Sequence, residues 1–284
     1  MMQHLNQIVR LLEEDTLTNI TLLKMIEAYE ASIIIQFIEG SEPSQWGLLL
    51  LLPVEAYPYD QQTYPEADYI AFVAYTEQSL LPELLTAVPA GTRLVFKLQK
   101  DEYREQLANY YELEQARAYI SYTSQDELTS SSVQHHKLHK PIHKAIRNED
   151  VVKHEALAEE LLPLLCSNGY TPEELRGYFA AGAYSFVIYR DGEAAAGCFI
   201  FRNYNEIWEI AGVHTREHWR GQGLARQLVA AALEQLRQLG LRPRYHVLET
   251  NAASIRLAES LGLLPFMKLT HHTMRSPAAV PQQI

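Results

Sequence analysis

The chain has only two cysteines in 284 residues, Cys166 and Cys198. That is too few for a disulfide framework, and their spacing is not that of a metal site, so both read as small buried hydrophobes. Long apolar runs are also missing. The longest, Leu48 to Leu52, falls far short of a bilayer span, and no basic-then-apolar leader opens the sequence. The expectation is a cytoplasmic protein with no membrane partner. Basic charge is scarce: 24 Lys and Arg stand against 35 Asp and Glu, a net charge of -11. Phosphate backbones need a concentrated basic face, so nucleic acid is excluded as a general partner. An acidic surface mildly favours cationic ligands such as amines. Wholesale disorder is excluded in turn by 47% hydrophobic residues.

What is present reads as two domains of mixed α/β character. Amphipathic helices occupy the first thirty residues, with Thr16 and Thr18 as candidate caps. Strands are expected at 32–38, 47–52 and 68–75, then helix 77–88, strand 92–98, helix 102–113 and strand 118–122. A polar stretch rich in Ser, Thr, His and Lys follows, which sets domain boundaries at 1–125, a linker at 126–145 and 146–284. The linker histidines His135, His136, His139 and His143 lack neighbouring carboxylates or cysteines, so no metal is expected. The second half repeats the order of the first. A helix is expected over 149–165 and another from the Thr171-Pro172-Glu173-Glu174 start. Two strands then flank an Asp191-Gly192 hairpin turn. Strand 206–213, helix 224–239, strand 244–249, helix 252–261 and strand 266–274 complete the chain.

The most informative stretch is Arg220-Gly221-Gln222-Gly223-Leu224-Ala225, between strand 206–213 and helix 224–239. Two glycines let the backbone curl so that several N–H groups converge, and the helix dipole adds partial positive charge there. A diphosphate fits such a cradle. Arg220 adds a charge-assisted contact and small Ala225 lets the turn pack closely. A dinucleotide site fits badly, because the Gly-x-Gly-x-x-Gly pattern is incomplete and no alternating parallel strand order supports it.

From about residue 145 onward the sequence resembles the GNAT superfamily of acyl-CoA-dependent N-acyltransferases. Three features carry the resemblance: Ile207-Trp208-Glu209-Ile210-Ala211-Gly212-Val213 leading to His218-Trp219-Arg220-Gly221-Gln222-Gly223; Asn251 opening the helix that closes at Leu261-Gly262; and the preceding hairpin, Tyr184 to Phe201. His218 stands where relatives usually have Gln or Arg. The first half has the same element order, but Tyr75-Thr76-Glu77-Gln78-Ser79-Leu80 stands where the cradle would be. It resembles a degenerate second copy, as in bacterial tandem-domain acetyltransferases and glycine N-acyltransferases, acting as packing partner and substrate wall. The implied fold is therefore a GNAT fold in tandem.

The resemblance implies acetyl-CoA as co-substrate. Trp219, Arg220, Gly221, Gln222, Gly223, Leu224 and Ala225 would hold its diphosphate. Ala211, Gly212 and Val213 would pair with pantetheine and donate to the acyl oxygen, the glycine marking a bulge. Asn251 would reach pantetheine or cap its helix. An amine acceptor is mostly protonated at neutral pH, so a base helps. Glu209 is the first candidate, with Glu249 and His246 in reserve and Glu206 weaker. Relatives often place a Tyr acid where this chain has Ala258; Tyr204 and Tyr245 are the substitutes to weigh. Trp208 reads as packing. The expected activity is acetyl transfer from acetyl-CoA to a primary amine of a small-molecule or amino-acid-like acceptor. The alternatives are transfer of a longer acyl chain and a non-catalytic acyl-CoA sensor.

Overall fold

A computed structural model describes residues 2–42, 44–125, 128 and 150–278. The four linker histidines and all of 126–145 except Leu128 lie outside the described residues. The chain divides into two compact units: Met1–Tyr119 with Met267–Ile284, and Ile120–Phe266. The sequence reading gave the last strand to the second domain; in the structure it groups with the first unit.

The first unit opens with α1 (Met2–Glu13) and α2 (Thr16–Tyr29). Asp15, rather than Thr16 or Thr18, caps α2, its carboxylate accepting from Thr18 N at 3.3 Å. Strands β1 (Ile34–Glu39), β2 (Trp46–Pro53), β3 (Tyr69–Tyr75) and β4 (Leu94–Leu98) follow, with α3 (Pro58–Thr63) after β2 and α4 (Leu81–Leu85) after β3. The long helix expected over 77–88 is shorter because Pro82 cannot donate in a helix interior; a 3-10 turn, Gln78–Leu80, precedes it and α4 starts afresh around the proline. Helix α5 (Asp101–Leu107) also stops early, and β5 (Leu113–Thr123) takes the residues beyond. β1/β2 and β2/β3 are antiparallel and β3/β4 parallel. The final strand of the chain pairs antiparallel with β4, His271 opposite Lys97. Leucines Leu48–Leu52 of β2 are fully buried, as expected for a strand covered on both faces.

In the second unit, 149–165 is not one helix. The β-branched pair Val151-Val152 forms edge strand β6 (Val151–His154) against Ser185–Ile188. Only α6 (Leu162–Cys166) is α-helical there. Helix α7 (Pro172–Ala180) starts with a full capping box between Thr171 and Glu174. β7 (Tyr184–Arg190) turns at Asp191 and Gly192, with φ 51° and 82°, into β8 (Glu193–Tyr204), then β9 (Ile207–Thr215). Helix α8 (Leu224–Gln238) crosses to β10 (Arg242–Leu248), followed by α9 (Ala252–Ser260) and β11 (Leu264–Met274). β7/β8 and β8/β9 are antiparallel and β9/β10 parallel. The directions of β1 to β4 are thus those of β7 to β10. One face of this sheet packs on α8 through Ile210, Leu228, Val229 and Ala232; the other packs on α6 and α7 through Leu164, Leu175, Phe199 and Ala211.

Candidate functional site

The site grows from an irregularity in β9. Phe199 of β8 pairs with Ala211, but Gly197, two residues earlier, pairs with His214, three residues later. The extra residue is a bulge. Ile210 and Val213 consequently face the same core, although strict alternation would separate them. Gly212 is required here: its φ is +60°, and a Cβ would stand 2.7 Å from the Phe199 ring. The parallel pairing of β9 with β10 runs from Ile207↔Arg242 to Ile210↔Tyr245. Ala211, Gly212 and Val213 follow that last pair, with the bulge turning β9.

The glycine turn lies beyond. Gly221 and Gly223 have φ of +78° and +75°, and a Cβ on either would meet nothing within 4 Å. Gly223 is the N-cap of the 15-residue α8 and supplies no side chain to its first-turn N–H groups. Those donors remain for a ligand. Trp219 Nε1 and Thr215 Oγ1 are buried nearby without a partner. Leu224 is buried in the α8 core, so it anchors the turn through packing and offers a ligand its main chain. An open turn, an uncapped helix and unpartnered donors fit the diphosphate of CoA.

Glu209 sits opposite Phe201 on one side and Arg244 on the other. Its Oε2 accepts from Asn203 Nδ2 at 2.7 Å and from Arg244 Nη1 at 2.5 Å, with side-chain exposures of 12% for Glu209 and 7% for Arg244. Asn203 Oδ1 and Arg244 Nε are buried without partners, leaving polar capacity beside the carboxylate. Arg244 Nη2 donates to Ser121 Oγ at 3.3 Å and lies 3.1 Å from His246 Nδ1. Ser121 Oγ is 2.8 Å from the same nitrogen. A guanidinium only donates, so Nδ1 accepts and the imidazole proton belongs on Nε2.

Sequence reasoning missed Tyr170. Its ring meets Phe199 edge-on at 5.1 Å and Tyr178 at 6.4 Å, and Phe199 is the residue beneath Gly212. Burial, then the neighbouring Glu209 charge, holds its phenol well above the ordinary tyrosine range, so it stays protonated. In the sequence Tyr170 is simply the residue before a helix cap, and no motif marks it.

The other candidates separate. Glu249 is exposed in the turn after β10. Asn251 caps α9, accepting from Ser254 N at 3.1 Å. Glu206 pairs with Arg242 at the surface. Tyr204 is buried, and Tyr245 is buried with its hydroxyl engaged by Ser254 and its pKa pushed up to about 12, chiefly by burial. Ala258 is wholly buried in the α8 core. Trp208 packs on that core and stacks on Tyr184. Cys198 is buried and its thiol pushed well above its ordinary pKa by burial, whereas Cys166 is only half-buried. Among the described residues no group of three His, Cys, Asp or Glu side chains could hold a metal, and no helix is long and apolar enough to cross a membrane.

Residues 154–263 match the acetyltransferase (GNAT) family model. A tandem GNAT protein from the clavulanic acid biosynthesis pathway aligns with 97% of this chain and 95% of its own at TM-score 0.57 and 14% identity. A GCN5-related N-acetyltransferase from Kribbella flavida aligns with 91% of this chain and 95% of its own at 0.56 and 16%. A GCN5-related N-acetyltransferase-like protein from Streptococcus suis aligns with 97% and 100% at 0.50 and 17%. At these identities the likeness is one of fold. No curated protein matches the chain significantly.

Proposed function

We propose, from the premise that residues 154–263 are a GNAT acetyltransferase domain, that the protein transfers an acetyl group from acetyl-CoA to a primary amine of a small-molecule or amino-acid-like acceptor. The observation that carries this is the bulged end of β9 followed by an open, uncapped glycine turn. Acetyl-CoA supplies an activated acyl group and a thiolate leaving group. The chain supplies positioning and charge. The N–H groups of Gly221 to Ala225, with Arg220, hold the diphosphate. The main chain of Ala211, Gly212 and Val213, freed by the bulge, orients pantetheine and donates to the acyl oxygen. Trp219 and Gln222 flank the turn, and Asn251 fixes the start of α9.

Glu209 receives the amine. Its Oε2 is taken by Asn203 and Arg244, so the free oxygen draws the ammonium and accepts its proton, directly or through water. Glu249, exposed in its turn, is a poorer base. Tyr170, protonated and edge-on to the ring beneath the bulge, would return a proton to the departing thiolate. The first unit, which has strand directions like the second but no glycine turn after β3, is a degenerate copy without its own carrier site. The buried Ala258 favours a second reading, a non-catalytic acyl-CoA sensor.

The test is thermal stabilisation by CoA and acetyl-CoA, followed by thiol release from acetyl-CoA across polyamines, amino acids and aminoglycosides. The enzyme reading expects stabilisation that Gly221→Val with Gly223→Val abolishes, and thiol release with one amine class. Stabilisation without thiol release would select the sensor, release only with longer acyl-CoAs the longer-chain enzyme, and no stabilisation would end the cradle assignment.

A further inference from the structure

A second irregularity lies at the other end of the β8/β9 ladder, near the hairpin. Arg202 pairs with Trp208, but Tyr204 pairs with Ile207, so Asn203 is an extra residue with no opposite number. A bulge re-aims the side chain it carries. Phe199, Phe201 and Ala211 belong to the core beneath α6 and α7, and Asn203 is turned to Glu209 beside them. Its Nδ2 donates to Glu209 Oε2 at 2.7 Å, and chemistry fixes which end of the amide stands there, since Oδ1 would set oxygen against carboxylate oxygen. Oδ1 is buried, in a residue 3% exposed, and has no partner among the described residues.

What Asn203 Oδ1 lacks is a donor. Arg244 gives its Nη1 to Glu209 Oε2 at 2.5 Å, and its Nε is itself without a partner, so it does not reach Oδ1. Folded chains pair nearly all such buried oxygens. An amine brings N–H groups to this place. Glu209 draws the ammonium and accepts one proton, and the neutral amine that then attacks keeps two N–H bonds if it is primary and one if it is secondary. The primary amine lays one on Asn203 Oδ1 and the other on the Glu209 carboxyl, which leaves its lone pair for the thioester carbon. In a secondary amine a carbon takes one of those places, and a buried oxygen stays unpaired. The wall beside it is aromatic: Phe201 stands opposite Glu209 in the strand pairing and packs on Tyr178 at 4.1 Å between ring centres, which keeps water from making up the loss.

We propose that Asn203 determines acceptor specificity: its Oδ1 receives the second N–H of an amine held at Glu209, and the site takes unsubstituted primary amines in preference to N-alkylated ones. The proposal rests on the acyl-transfer reading for what becomes of the amine, and on the geometry of Asn203 and Glu209 alone for its binding.

Butylamine and N-methylbutylamine, which differ by one N–H, test it on the full chain as wild type, Asn203→Leu and Asn203→Asp. Each amine is titrated calorimetrically in the presence of excess CoA, and each is offered with acetyl-CoA in a thiol-release assay. Wild type should favour butylamine at least about tenfold, in Kd and in kcat/KM. Asn203→Leu should weaken butylamine about tenfold, chiefly through Kd and KM, and leave N-methylbutylamine and CoA within about twofold. Asn203→Asp retains an oxygen acceptor and should keep the preference; its loss there overturns the acceptor role. A residue that merely supports Glu209 predicts equal losses for both amines in Asn203→Leu, and that result overturns the proposal, as does failure of wild type to bind either amine. Thiol release with a preference indifferent to residue 203 overturns it while the transfer reading stands. A binding preference that Asn203→Leu abolishes, without thiol release from acetyl-CoA, ends the transfer reading and keeps Asn203 as the selecting residue.

Discussion

Among the described residues each unit buries one ion pair anchored on the strand that runs parallel to its neighbour, Lys97 on β4 and Arg244 on β10, and the two pairs are finished differently. Lys97 Nζ meets both oxygens of Asp60, at 2.6 and 2.7 Å, with the rings of Tyr57, Tyr59 and Phe72 between 5.6 and 5.8 Å from the ammonium. Burial pushes Asp60 up and Lys97 down, and each opposes the other's shift. Both carboxylate oxygens are engaged there. Around Glu209 and Arg244, by contrast, one carboxylate oxygen takes both bonds, and Arg244 Nε and Asn203 Oδ1 stay unpartnered. A closed pair specifies structure. An unfinished pair leaves capacity for a substrate, so the second unit, and not the first, holds the candidate chemistry.

The largest effect should come from breaking the closed pair. Lys97→Met strands a buried carboxylate and should cost about 3–5 kcal/mol, read from denaturant unfolding, whereas Lys97→Met with Asp60→Leu should recover most of it. Equal losses in the single and double variants would show that the pair is not a unit. At the open pair, Glu209→Gln should lower turnover about a hundredfold, roughly 2.7 kcal/mol, while the CoA dissociation constant stays within about threefold. A parallel loss of CoA affinity would instead make Glu209 a structural support of the carrier site. Tyr170→Phe keeps the ring on Phe199 and removes only the hydroxyl; turnover should fall about tenfold with the alkaline limb of the pH profile altered. An unchanged profile would return Tyr170 to packing.

The smallest effect is set by pH and again separates the units. His271, in the first unit, accepts or donates at Nδ1 with Tyr64 OH at 2.6 Å and is held well below the ordinary histidine range by burial, then by Lys97 and Arg117. Its folded pKa lies below its unfolded one, so the stability it contributes is present above about pH 6.5 and is lost as pH falls from there. At pH 5.5 the loss approaches about 1.4 kcal/mol. Hydrogen exchange corrected for intrinsic rates should therefore rise about tenfold in peptides spanning β4, with a smaller change in β9, and His271→Gln should flatten the difference.

Much of this was legible in the sequence where local chemistry decides. Asp191-Gly192, Thr171 with Glu174, and Gly240 after α8 each became the expected turn, capping box or left-handed stop, because their constraints act within a few residues. Gly212 was read as a bulge, and the register shows it. Tertiary partners were not legible. Val151-Val152 became a strand because β7 offers an unpaired edge, and Glu209 met Arg244 because a parallel register puts them abreast. Tyr170 carries no local signature, since Phe199 and Glu209 reach it from distant parts of the sequence.

The return of Met267–Ala278 to the first unit has a temporal consequence. Ala278 N donates to Thr92 O and Gly91 N donates to Ala278 O, so residues made after the second unit close a layer begun before it. The first unit is translated first but cannot complete its sheet until the second has emerged. The usual amino-to-carboxyl order of domain maturation on the ribosome is thereby inverted. Until then β4 has an open edge on the side that the final strand later fills.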